Sequence, residues 1–220
     1  MKEPQCAHCL SKPCKLPLGE RSRFPSYCPI INFADLVQEL KDRYREESIS
    51  PFYLSAALTE KECYDPEAAL QGRIQPLRTR IRELAAFAEK IGARKLGLAF
   101  CSGLSDEAGR AADILERHGL EIVSLACSCG AMDKADLGVP PEHKIYGPDR
   151  YEAACNPLLQ AEILNRSGTA FNIIIGLCVG HDMLFTKHSK APVTTLIVKD
   201  RLTGHNPVIS LYSRYHKDLV

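Results

Sequence analysis

Tryptophan is absent from this 220-residue sequence, and net charge nearly so, at +1. A balanced charge leaves no broad basic footprint for nucleic acid. No apolar run approaches the roughly 20 residues that cross a bilayer, and the opening "MKEPQCAHC" lacks the apolar stretch of a signal peptide. Internal repeats and low-complexity tracts are missing as well. These absences point to a cytoplasmic protein with neither a nucleic-acid nor a membrane partner. The apolar fraction of 45% is enough for a hydrophobic core without disulfide staples. The length fits one large domain, or a domain with a small appendage.

What the chain has in excess is cysteine, with ten residues. In a reducing compartment these favour metal ligation or thiol chemistry over structural disulfides. The seven histidines are scattered, so thiolates are the first ligands to consider. Residues 1–30 stand apart as a cysteine- and proline-rich segment with little periodicity, either organised by metal or disordered. Within it, Cys6-x2-Cys9-x4-Cys14-x13-Cys28-Pro29 supplies four thiols. That count satisfies tetrahedral zinc or a four-iron, four-sulfur cluster. The spacing is not that of a zinc finger. The Cys-Pro at the fourth position is shared with bacterial ferredoxins, although the intervals differ. His8 is an alternative ligand, or simply faces solvent.

Residues 31–220 read as an α/β domain. Phe33, Leu36, Val37 and Leu40 recur at helical spacing, and "KDRYREES" follows as a solvated face and end. Asp65-Pro66 reads as an N-cap with proline at the first helical position, and Pro76 as a break. Leu77, Ile81, Leu84, Ala85, Ala88 and Ile91 form a second stripe. Strands and helices then alternate. "KLGLAFC" (Lys95–Cys101) and "EIVSLAC" (Glu121–Cys127) read as strands around a helix over Ser105–Gly119. An Asn156-capped helix leads to the strand "FNIIIGLC", a short helix over Asp182–His188 and the strand "VTTLIVK" (Val193–Lys199). This order predicts a largely parallel sheet with helices on both faces. "PVISLYS" (Pro207–Ser213) reads as a fifth strand, antiparallel because the connection before it is too short for a helical crossover.

Cys101, Cys127 and Cys178 each stand where an apolar run stops, and Cys155 adjoins a helix N-cap. Functional groups gather beyond the carboxyl ends of parallel strands, and adjacent strands lie roughly 5 Å apart, so cysteines remote in sequence can converge. The alternative is that each is a small buried hydrophobe. In "FNIIIGLCVGHDMLF", Gly180 permits close approach of a ligand, while His181 and Asp182 enter on the same turn. Cys178 is then a candidate nucleophile with His181 as base or proton donor, and Asp182 orients it or caps the helix. Cys127 is a second reactive candidate, with Cys129 as a further ligand or a resolving thiol. Cys63 reads as a packed thiol.

Beyond the fourth strand, Lys199, Asp200 and Arg201, with His205 and Asn206, face the same rim or form a plain polar turn. A cationic pair there would hold an anionic substrate or balance a thiolate-rich cluster. Lys187 and His188 are weaker candidates. The Cys127–Cys155 connection, with Asp133, Lys134, Asp136 and His143, is long enough to be a lid. Gly176 and Gly180 do not make a dinucleotide fingerprint.

The stretches "GLAFCSGLSDEA", "ACNPLLQAEILN", "GLCVGHDMLF" with "APVT", and "VKDR…HNP", together with the N-terminal cysteines, resemble the domain of unknown function 1847 family, whose members are described as predicted metal-binding proteins. The resemblance covers nearly the whole chain. It implies the α/β fold and, as sites, Cys6, Cys9, Cys14 and Cys28, then Cys101, Cys127, Cys155 and Cys178 with His181 and Asp182. A lysine often follows the family cysteine matching Cys127, where this chain has Ser128-Cys129. The resemblance implies no activity. Three functions follow as expectations. The first is an iron–sulfur protein with a second cysteine-rich site for electron transfer or sulfur chemistry, served by a redox partner or a small anionic or sulfur-containing substrate. The others are a zinc-stabilised binding module without catalysis and a metal-free thiol enzyme using Cys178 and His181.

Overall fold

The computed structural model describes residues 2–17 and 24–212. By internal contacts the chain divides into Met1–Leu58 and Thr59–Val220.

The first unit carries the four N-terminal cysteines. Single turns of 3-10 helix cover Cys6–His8 and Pro13–Lys15, and Cys28 precedes α1 (Pro29–Asn32), where Pro29 occupies the first turn and needs no donor. The helical spacing at Phe33–Leu40 is realised in α2 (Ala34–Arg43). α3 (Ser50–Lys61) carries its last three residues into the second unit.

In the second unit, the Asp65 carboxylate accepts from the Ala68 N–H at 2.7 Å, capping α4 (Pro66–Leu70) as its sequence predicts. α5 (Arg80–Lys90) leads into β1 (Lys95–Phe100), then α6 (Ser105–Arg117) and β2 (Glu121–Ala126). α7 (Pro157–Ser167) precedes β3 (Asn172–Ile175), and α8 (His181–His188) precedes β4 (Val193–Ile197). The strand order is β2-β1-β3-β4 and every pairing is parallel. The central pair β1 and β3 is buried along most of its length, while β2 and β4 are only partly covered. Strands buried on both faces read as continuous apolar runs, which is why "KLGLAF" and "NIII" stand out in the sequence.

Two cores cover the two faces. Leu84 and Ala88 of α5, with Leu104, Ala111 and Leu115, pack on Leu96, Leu98, Ile173 and Ile175. Ala161 and Leu164 of α7, with Phe185 of α8, pack on Ala99 and Ile174. Each fully buried Leu or Ile contributes roughly 1.5–3 kcal/mol relative to exposure. Helices on both faces follow from the reversal of strand order at β1, given right-handed crossovers.

The expected antiparallel fifth strand is not formed. Within Pro207–Ser213, residues Val208–Tyr212 form a short helix, α9, and Ser213 lies outside the described residues. Its N–H groups find partners locally, Ile209 on the Asn206 carbonyl and Ser210 on that of Pro207. The segment buries no apolar face against the sheet, so nothing rewards extension. Among the described residues no helix is long and apolar enough to cross a membrane.

Candidate functional site: a thiol cluster at the carboxyl edge of the sheet

Register brings the strand ends level. Phe100 pairs with Ala126 and with Ile175, and Ile175 pairs with Ile197. The next residues, Cys101 and Cys127, therefore leave adjacent strands side by side. Between β1 and β3 the chain direction of the crossovers reverses, the place where open parallel sheets form a crevice. The Cys101 N–H donates to the Ile175 carbonyl at 3.1 Å, extending the pairing one residue past β1. Gly176 and Leu177 carry the chain from β3 to Cys178, whose carbonyl accepts from the N–H groups of His181 and Asp182 and so starts α8.

Cys155 arrives from another direction. The Asn156 N–H donates to the Cys127 carbonyl at 2.7 Å, tying the start of α7 to the end of β2. The Asn156 side chain accepts from the Leu159 N–H at 3.0 Å, the cap that "NPLL" predicts. Cys155 is thereby held beside Cys127.

Cys127 is the electrostatic centre. The Ser102 N–H reaches its sulfur at 3.4 Å, and the Ser102 hydroxyl lies 3.5 Å from the same atom and 2.8 Å from the Ser128 hydroxyl. The Cys155 thiol contributes most; with Ser102 and Cys101 it outweighs burial and brings the Cys127 thiol down to about 5. Ser102 opens a 3-10 turn that runs into α6, so its N–H also carries the positive end of that helical run. The contact with Cys127, then burial, pushes Cys155 up. The pair shares one proton. Cys129 is pushed up by burial and then by the charge on Cys127.

Cations meet the other two sulfurs. Lys199 Nζ lies 3.2 Å from Cys101 Sγ, and Arg201 Nη2 lies 3.0 Å from Cys178 Sγ. The intervening Asp200 turns away. Its carboxylate accepts from the N–H groups of Leu202 and Thr203, and its own N–H donates to His205 Nδ1 at 3.1 Å. His205 is thus part of the turn that presents the two cations.

His181 and Asp182 do not form a pair here. Asp182 Oδ1 accepts from the N–H groups of Gly180 and Met183, which makes it a cap for α8. His181 Nδ1 is buried and has no hydrogen-bond partner among the described residues. Lys187 and His188 occupy the last turn of α8, at the end away from Cys178. Cys63 is a packed thiol, donating to the Thr59 carbonyl at 3.0 Å and pushed up by burial.

The connection 128–154 is pinned. Glu152, 6% exposed, pairs with Lys134 and accepts from the N–H groups of Ile145 and Tyr146. Asp133 accepts from the N–H groups of Ala135 and Glu152 and pairs with Lys144 at 2.6 Å. Chiefly through Lys144, its carboxyl is brought down to about 2. Such a connection is a strap beside the site, with several backbone donors satisfied by the buried Glu152 and the partly buried Asp133.

Two contributors escape a reading for reactive residue types. Ser102 follows Cys101 directly. Gln160 lies on the buried stripe of α7 with Pro157, Ala161 and Leu164, where a polar residue is the signal. Its amide donates to the Leu125 carbonyl at 2.8 Å and the Phe100 carbonyl at 3.4 Å, bracing the ends of β2 and β1 under Cys127 and Cys101.

In the first unit, Cys9 is drawn down by the Lys12 N–H, then by the Ser11 hydroxyl 3.7 Å from its sulfur. The Tyr27 phenol is pushed up by removal from water and then by charge on Cys9, Cys6 and Cys28. Three of the four N-terminal sulfurs therefore bear on one hydroxyl, while Cys14 is exposed. Backbone donors aimed at a sulfur stabilise the thiolate that a soft metal requires. The donor set fits zinc or an iron–sulfur cluster in kind. Among the described residues, no three His, Cys, Asp or Glu side chains are already gathered around a point that would hold one metal ion.

A family model described as "Protein of unknown function (DUF1847)" matches residues 28–196. An uncharacterized protein of Methanocaldococcus jannaschii is 38% identical over 182 residues, which cover 83% of this chain and 86% of that protein. The family match begins at Cys28 and includes Cys101, Cys127, Cys155 and Cys178. It leaves Cys6, Cys9, Cys14, Lys199 and Arg201 outside.

Proposed function

The chain belongs to the DUF1847 family, and from that premise we propose that it is a cytoplasmic iron–sulfur protein acting in electron transfer or sulfur chemistry. The supporting observation is the arrangement at the sheet edge. Cys101, Cys127, Cys155 and Cys178 come from separate segments and lie near enough for charge on the other three to act on Cys155, and two of them receive hydrogen bonds from cations, Lys199 on Cys101 and Arg201 on Cys178. Thiolate ligands add negative charge, and cationic donors on the sulfurs offset it while tuning reduction potential.

Cys101, Cys127, Cys155 and Cys178 would hold the centre at the sheet, and Cys6, Cys9, Cys14 and Cys28 a second iron–sulfur cluster or zinc. A cluster so held supplies one-electron transfer. The protein's own groups do the rest. Ser102 and Gln160 fix the spacing of Cys101 and Cys127, and Lys199 and Arg201 hold charge at the rim, where a small anionic or sulfur-containing substrate or a redox partner would approach.

A second reading, thiol catalysis without metal, is favoured by the depressed Cys127 thiol beside its proton-sharing neighbour Cys155. In that reading Cys127 joins Cys178 as a candidate nucleophile with His181 as base, while Asp182 takes the capping role at α8.

Purification without oxygen, followed by iron, zinc and labile-sulfide analysis and absorption spectroscopy, separates these readings. Iron and sulfide together are expected, reduced by the content of one cluster in a Cys127→Ser/Cys178→Ser variant. A colourless protein free of iron and sulfide overturns the redox assignment; zinc at one equivalent would then leave a structural module.

A further inference from the structure

We propose that a cleft at the opposite, amino end of the sheet binds a small oligophosphate. The cleft holds about 500 Å³ and runs between the face of α5 and the turns that open β1 and β2, a size usual for small-molecule sites. Arg78, Arg82, Arg94 and His118 line it, against a single carboxylate, Glu89. From Arg82 to Glu89 the helix rises roughly 10 Å along the cleft.

Two features favour an anionic occupant over a merely solvated face. The guanidinium groups of Arg82 and Arg94 have no hydrogen-bond or ion-pair partner among the described residues, whereas Arg78 and Lys90 both reach Glu62. The last turns of α5 and α6 already contain Lys90 and Arg117, which meet the preference of helix carboxyl ends for cations. Arg82 lies in the first turn of α5 and is not needed for that role.

The lining also selects the ligand class. A planar guanidinium presents parallel donors that match the oxygens of a phosphoryl group. No Phe, Tyr or Trp side chain lines the cleft; the His118 imidazole is its one ring, and Ala85 and Ala86 add only methyl groups to the lining. An unbranched chain of phosphates fits this combination of cations and few apolar surfaces. The site shares no residue with the thiol cluster and stands whether or not that cluster holds metal.

Isothermal titration of the full-length protein with inorganic tripolyphosphate at low ionic strength tests the assignment. Saturable binding at one site is expected, weakened about tenfold or more in each of Arg82→Ala and Arg94→Ala. Arg110→Ala, which removes an exposed arginine of α6 outside the cleft, serves as the charge control and is expected to bind as the parent does. Unchanged thermal unfolding would show that the variants remain folded. No saturable binding, or equal losses in Arg110→Ala and the cleft variants, overturns the proposal.

Discussion

Replacing Gly176 by alanine tests how the loop that delivers Cys178 is held. Gly176 has a φ of +62°, and a methyl group on its Cα would lie 2.9 Å from Leu104 Cδ2 and 3.0 Å from Leu104 Cδ1. Leu104 is fully buried in the core on the α6 face, so it has little room to retreat. Left-handed backbone costs alanine roughly 1–2 kcal/mol, and overpacking a filled core roughly 1–3 kcal/mol more. Gly168, the C-cap of α7, is the matched control. Its φ is +66°, yet nothing lies within 4 Å of the position its methyl would take. Gly168→Ala carries the backbone cost alone. The change in the unfolded chain is the same for both and cancels in the comparison.

Urea denaturation under reducing conditions should therefore show Gly176→Ala less stable than Gly168→Ala by roughly 1–3 kcal/mol at an unchanged denaturant slope. In a chain of this size that difference corresponds to a melting temperature lower by roughly 2–4 °C per kcal/mol. Equal destabilisation of the two variants would refute the argument that Leu104 packs against the turn into Cys178.

The Cys127 thiol gives a pH signature. Its pKa falls from 9.0 in the reference state to about 5 when folded, so the stability it contributes is complete above pH 9 and is lost as pH falls through about 5. Cys155 is raised, and its contribution is lost above pH 9. In metal-free protein, urea midpoints of the parent relative to a Cys127→Ala/Cys155→Ala variant should rise from pH 5 toward 9, and a flat difference would contradict the shared proton. Glu152→Gln weakens the pairing with Lys134 and the acceptance of two N–H groups, so limited proteolysis within 128–154 should accelerate while strands β1 and β3 stay protected from hydrogen exchange. Cleavage at the parent rate would show that the strap is pinned by something else.

Much of this architecture is legible in the sequence because burial on both faces leaves a simple trace. β1 and β3 read as apolar runs, and the cysteines that end them mark where the runs meet water. Asp65 and Asn156 announce their helices because each is followed by proline, and both side chains cap as expected. Pro207–Ser213 misleads for the opposite reason. Its β-branched residues suit a strand, but a strand needs an edge to join, and local hydrogen bonds close the segment into α9 first.

The site is less legible than the fold. Run ends locate Cys101, Cys127 and Cys178, and the residues after β4 locate Lys199 and Arg201. Which cation meets which sulfur depends on how Asp200 folds the turn back on itself, and sequence spacing does not carry that. Ser102 acts through its hydroxyl and its backbone N–H together, and a serine after a cysteine does not by itself announce either contact. Gln160 acts through an amide aimed at two carbonyls that become neighbours only after strands pair.

The turn that carries Lys199 and Arg201 closes on its own hydrogen bonds after β4 has ended. Sulfur donors and counter-charges therefore reside on different segments, the sulfurs at strand and helix ends and the cations on a self-contained turn. Exchanging Lys199 or Arg201 would alter the environment of a thiol with the packing beneath left intact.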